Sequence, residues 1–164
     1  MARLSQRLLL AALLFCAAYL AVRANALQDS VAYQFNAAGH AAAWMSRAAY
    51  LSLMFGCGVV LPASIAAAVA WAAQRAGRRF SAAASYWFAP ERRLATLDFA
   101  IAYGAWLGIV VAGYVAGVHR GILAANQLDP PHLVMTGFWL QTLTFSVGLI
   151  VLIAAPLLRF RRRA

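Results

Sequence analysis

Four apolar runs, at 8–26, 48–73, 94–118 and 137–158, constrain this chain more than any other feature. Each is long enough to cross a hydrocarbon layer of about 30 Å as a helix rising 1.5 Å per residue. Backbone placed in lipid must satisfy its own N–H and C=O groups, and a helix does so within one segment. Hydrophobic residues make up 65% of the 164 residues and charged residues 11%, too apolar for a water-soluble domain. The sequence therefore predicts an all-α, polytopic four-helix transmembrane bundle, a single domain covering 1–164. The first run has a second reading. A basic head, a short apolar core and Ala24-Asn25-Ala26 also fit a cleavable signal peptide, whose loss would strip the bundle of one wall.

The formal charge of +10 is carried by arginine alone. Eleven of the fourteen arginines fall in the head (Arg3, Arg7), the loop 74–93 (Arg75, Arg78, Arg79, Arg92, Arg93) and the tail (Arg159, Arg161, Arg162, Arg163). Arg23, Arg47 and Arg120 remain on the other side. Positive residues stay cytoplasmic, so both termini and the loop 74–93 are expected inside, with outer loops at 27–47 and 119–136. The expected location is a cytoplasmic membrane, crossed several times. Arginines clustered between apolar runs suit anionic lipid at the inner face, or a cytoplasmic partner, rather than nucleic acid. Tyr86, Trp87 and Phe88 suit the headgroup layer. Pro90 and Glu91 mark a helix start, and Gly77 a helix end.

Within the runs, Ser46 is placed to cap the second helix. Pro62 lies mid-span and frees the carbonyl of Gly58. This predicts a kink, with an exposed carbonyl beside Ser64 as the sharper alternative. The third helix carries Gly104 with Gly108 and Gly113 with Gly117. At 100° per residue these pairs point to opposite sides, which puts this helix at the centre of the bundle. Glycine contacts serve one chain or several copies, so a homo-oligomer stays open. Asp98, near the inner end, is expected to pair or reach the interface, with a proton relay as the alternative. Gln141, Thr142, Thr144 and Ser146 are expected to bond to neighbouring helices.

Signs of catalysis are sparse. Cys16 and Cys57 lie inside apolar runs as small hydrophobes, without a C-x-x-C pair. His40, His119 and His132 all fall on the expected outer face, with no metal-ligand spacing. Haem would want histidines inside facing helices. Ser46, Ser52 and Ser64 have no histidine nearby in sequence. No catalytic residue, metal site or cofactor is assigned, and the expectation is a protein without enzymatic activity.

The outer segment 27–47 is the stretch most suggestive of a task. Val31, Tyr33 and Phe35 alternate with Ala32 and Gln34 as in an extended strand. Asn36-Ala37-Ala38-Gly39 reads as a turn. Ala41 to Trp44 is expected as a helical turn with Trp44 in the interface. The run Phe35-Asn36-Ala37-Ala38-Gly39, followed by Trp44 and Ser46-Arg47 before a helix, resembles a bacterial membrane domain of unknown function that also occurs in the Sdp toxin immunity protein. Tyr86-Trp87 and Ala89-Pro90-Glu91-Arg92-Arg93 also resemble members of that group. Gln28, Gln34 and Ala41-Ala42 stand where the family usually has proline, histidine and proline-aspartate. A histidine- or aspartate-dependent activity is therefore not implied. The resemblance implies a small integral membrane protein concerned with peptide-toxin immunity or signalling. The expected function is binding, sensing or immunity on the extracytoplasmic face, where Phe35, Asn36, Gly39, Trp44 and Arg47 would meet a peptide or protein. A transporter or channel-like subunit using Pro62 and Asp98 is the alternative, and an intramembrane metal-dependent enzyme a further one.

Overall fold

The computed structural model describes residues 2–76 and 86–161. Gly77, Arg78, Arg79, Arg162 and Arg163 lie outside the described residues. The chain runs as helix α1 (Ala2–Arg23), a 3-10 turn (Ala24–Ala26), strands β1 (Ser30–Phe35) and β2 (Ala41–Ser46), and helix α2 (Arg47–Phe55). A π-turn (Gly56–Val60) leads into α3 (Leu61–Ala76), followed by α4 (Pro90–Ala125) and α5 (Met135–Arg161). Four helical stretches, 2–26, 47–75, 90–125 and 135–160, are long and apolar enough to cross a membrane. Leucine, tryptophan and isoleucine side chains such as Leu14, Trp71, Trp139 and Ile150 are exposed on their outer surfaces. That exposure suits lipid as the surrounding solvent.

Helix α4 is the axis. Its 36 residues rise roughly 54 Å, well beyond the apolar thickness of a bilayer. Gly104, Gly108, Ala112, Val115, His119 and Ile122 form a buried stripe along it. The steps of four and three residues keep that stripe on one helix face. It packs against α1 and the α2–α3 helix. A Cβ on Gly104 would come within 3.2 Å of the Ala66 carbonyl oxygen, and one on Gly108 within 2.9 Å of that of Pro62. Gly58 sits against Cys16 and Val115.

Pro62 acts through the π-turn immediately before it, where Leu61 N–H reaches the Gly56 carbonyl five residues back. The wider turn absorbs the missing proline N–H without an open break. Gly58 is packed between α1 and α4 and Ser64 is exposed, so the alternative of a polar pocket joining them is not what forms.

Three expectations are corrected. Gly113 does not pack on a neighbouring helix: it is exposed, and a Cβ there would meet no atom within 4 Å. Ala41 to Trp44 is strand β2, paired antiparallel with β1 in the register Val31↔Met45, Ala32↔Trp44 and Phe35↔Ala41. Alanine has little strand preference of its own, so the pairing partner decides. Helix α4 runs past Val118 to Ala125, which places His119 inside it, fully buried. Pro90 and Glu91 do open α4, and Ser46 caps α2, its Oγ accepting from Ala49 N–H at 3.3 Å.

Candidate functional site

A lone two-stranded hairpin is marginal in water, and this one is held from outside. The Asn126 side chain pairs with both backbone groups of Ala32: Ala32 N–H donates to Oδ1, and Nδ2 donates to the Ala32 carbonyl, both at 2.8 Å. Asn126 thus supplies to β1 what a third strand would. Nδ2 also donates to the Ile122 carbonyl at 2.9 Å, which ties the amide to the end of α4. Ala32 is wholly buried, so these groups have no recourse to water.

The hairpin tip is held as well. Asn36 Oδ1 accepts from Ala38 N–H and His40 N–H, shaping the turn. Gly39 adopts φ +86°, and a Cβ there would collide with the Leu133 carbonyl. Only glycine meets both demands cheaply. Leu133 N–H donates to the Gly39 carbonyl at 2.8 Å, and the rings of His40 and His132 meet edge to face at 5.1 Å. At the hairpin base Arg47 bonds the Leu27 carbonyl and pairs with Asp29 at 3.0 Å.

Beneath this fixed roof lies a cleft of about 700 Å3. Tyr33, Gln34 and Phe35 of β1 form one wall, and Gly117, Arg120 and Gly121 of α4 another. His132 to Met135 and the first turns of α5, with Phe138 and Gln141, close it. The lining is mostly apolar; Tyr33, Gln34, Arg120, His132 and Gln141 are its side chains with hydrogen-bonding groups. A second cavity of about 690 Å3 runs along α4 and α5 from Ile109 to Gly148, sharing Gly117, Arg120, Gly137 and Gln141 with the first.

A separate polar pair lies in the packed core. Tyr50 Oη is 2.9 Å from His119 Nδ1, a hydrogen bond whose direction depends on the imidazole tautomer. Both residues are fully buried, and the Tyr19 ring meets the imidazole edge-on at 5.4 Å. His119 Nε2 has no hydrogen-bond partner among the described residues.

Of the five expected binding residues, Phe35 lines the cleft. Asn36, Gly39 and Arg47 shape the hairpin, and Trp44 is exposed on β2. The inner-face motif docks on helix ends: Arg92 stacks over Tyr86 at 4.1 Å, and Trp87 meets Phe160 edge-on at 5.1 Å. On α5, Gln141 Nε2 donates to the Tyr114 carbonyl at 2.9 Å, and Thr142 Oγ1 lies 3.4 Å from the Tyr114 hydroxyl. Thr144 and Ser146 instead bond back to their own helix. Among the described residues, no group of three or more His, Cys, Asp or Glu side chains is arranged to hold a metal ion. No family model, no curated protein and no solved structure matches the chain.

Proposed function

We propose that this is a multi-pass membrane protein that binds a ligand at its hairpin end, as a receptor or immunity protein does, without chemical conversion. The cleft under β1 carries this reading. Its volume of about 700 Å3 falls in the usual range for small-molecule sites, and it combines apolar walls with a few convergent polar groups. Its roof is fixed by Asn126 and Gly39, so the cleft is preorganised rather than formed on demand. The arginine distribution supports a cytoplasmic location for both termini and an extracytoplasmic hairpin. The resemblance of the 35–47 stretch to the Sdp immunity group supports immunity or signalling in a bacterial inner membrane. The arginine-rich end would rest on anionic lipid.

The test is photocrosslinking in intact cells with p-benzoylphenylalanine in place of Phe138. A discrete adduct is expected, and Gly121→Leu should diminish it by filling the cleft. A Cβ at Gly121 meets only Leu133 Cδ1 at 3.6 Å, so the backbone there has room for a side chain, and an unchanged unfolding midpoint of the variant in detergent checks that the fold is kept. Crosslinks confined to the chain itself would sink the binding reading.

A further inference from the structure

The two cavities between α4 and α5 adjoin, sharing Gly117, Arg120, Gly137 and Gln141 in their linings, and at this junction the Gln141 side chain reaches across to the Tyr114 carbonyl. The second cavity, the lower arm of this groove, is walled mostly by apolar side chains, Ile109, Val110, Leu140 and Phe145 among them. That arm exists because the facing positions are small: Gly113 and Gly137 have no atom within 4 Å of an added Cβ. Gly148 has Val110 at 3.9 Å as its nearest such neighbour. Arg120 stands at the junction of the arms, exposed and without an ion-pair partner among the described residues. Neither arm is lined by an acidic side chain, and His132 lines the upper one. Exposed Trp139, two residues from Gly137, fits the membrane–water interface, which puts the Arg120 end of the groove at headgroup depth.

We propose that this groove holds one anionic phospholipid drawn from the surrounding leaflet. Its phosphate sits at Arg120 and an acyl chain lies along Gly113 and Gly148. The inference rests on the binding reading above and names its ligand class. Charge complementarity selects the headgroup: a guanidinium offers planar, multiple donors that match phosphate oxygens. Gln141 commits Nε2 to the Tyr114 carbonyl, so its Oε1 remains to accept from a headgroup hydroxyl. The lower arm favours a hydrocarbon chain: most of its lining is apolar, and the Tyr114 hydroxyl, Gln141 Nε2 and Thr144 Oγ1 at its walls are already hydrogen-bonded within the bundle.

The full-length protein, purified in mild detergent, is delipidated and titrated with phosphatidylglycerol or chain-matched phosphatidylcholine. Bound copies are counted by native mass spectrometry. One tightly held phosphatidylglycerol is expected, about tenfold preferred over phosphatidylcholine. Arg120→Gln should abolish the preference, and Arg120→Lys should restore part of it. Gly113→Phe should weaken both lipids about tenfold; Gly137→Leu does the same if that variant fails to fold. Equal binding of the two lipids by the unaltered protein, or a preference untouched by Arg120→Gln, would overturn the proposal and leave only annular lipid. A peptide adduct in the crosslinking experiment, with no phosphatidylglycerol preference here, would keep the binding reading and overturn the lipid. A preference for phosphatidylglycerol with no adduct in cells would support the groove and sink its use in cells.

Discussion

The two sides of α4 use glycine for opposite ends. Toward α1 and α3, Gly104 and Gly108 bring backbones together, with Pro62 and Ala66 carbonyls in contact range. Toward α5, Gly113 and Gly137 leave space, and the Gly117 surface is covered by the flexible end of Gln141. No residue in the most apolar window of α5 is buried by protein. Its hold on α4 comes from the Tyr114–Phe145 stack at 4.2 Å, the Gln141 hydrogen bond and ring contacts near Phe160. A small-residue pair is therefore not by itself a packing signal. What faces it decides between a seam and a groove.

The largest expected effect lies where the hairpin roof is fixed over the loose side. Asn126→Ala leaves the buried Ala32 N–H and carbonyl without partners, at a cost of about 2–4 kcal/mol. Mixed-micelle unfolding should show the loss, and proteolysis should begin in the hairpin. Next, Gly108→Val forces a branched side chain against the Pro62 carbonyl and should destabilise by about 1–3 kcal/mol in the same titration. The mirror change, Gly113→Ala, should stabilise by up to about 1 kcal/mol, since it meets nothing and improves helix propensity. Matching signs for these two glycines would erase the distinction between the sides. The smallest effect belongs to Asp29→Ala. Its ion pair with Arg47 is almost fully exposed on the aspartate side, at 95%, so the change should be within about 0.5 kcal/mol.

The bundle was legible because each helix must satisfy its own backbone, which ties length and hydropathy to structure. Ser46, the Asn36–Gly39 turn and strand β1 were legible too, since each rests on local chemistry. Strand β2 was not: Ala41, Ala42 and Ala43 follow their partner, not their propensity. Nor was the end of α4, where His119 and Arg120 read as loop residues although Tyr50 gives the imidazole a buried partner. Asn126 could be suspected as a helix-ending residue, but its pairing with Ala32 spans 94 positions. The cleft gathers β1, α4, the 126–134 loop and α5, so no single window of sequence contains it.

A structure determined in nanodiscs of native lipid extract tests the unequal sides of α4 most directly. The expected result is elongated density along Gly113 and Gly148 with its head at Arg120, and direct helix contact at Gly104 and Gly108. Helix α5 closed onto Gly113 with no intervening density would contradict the account.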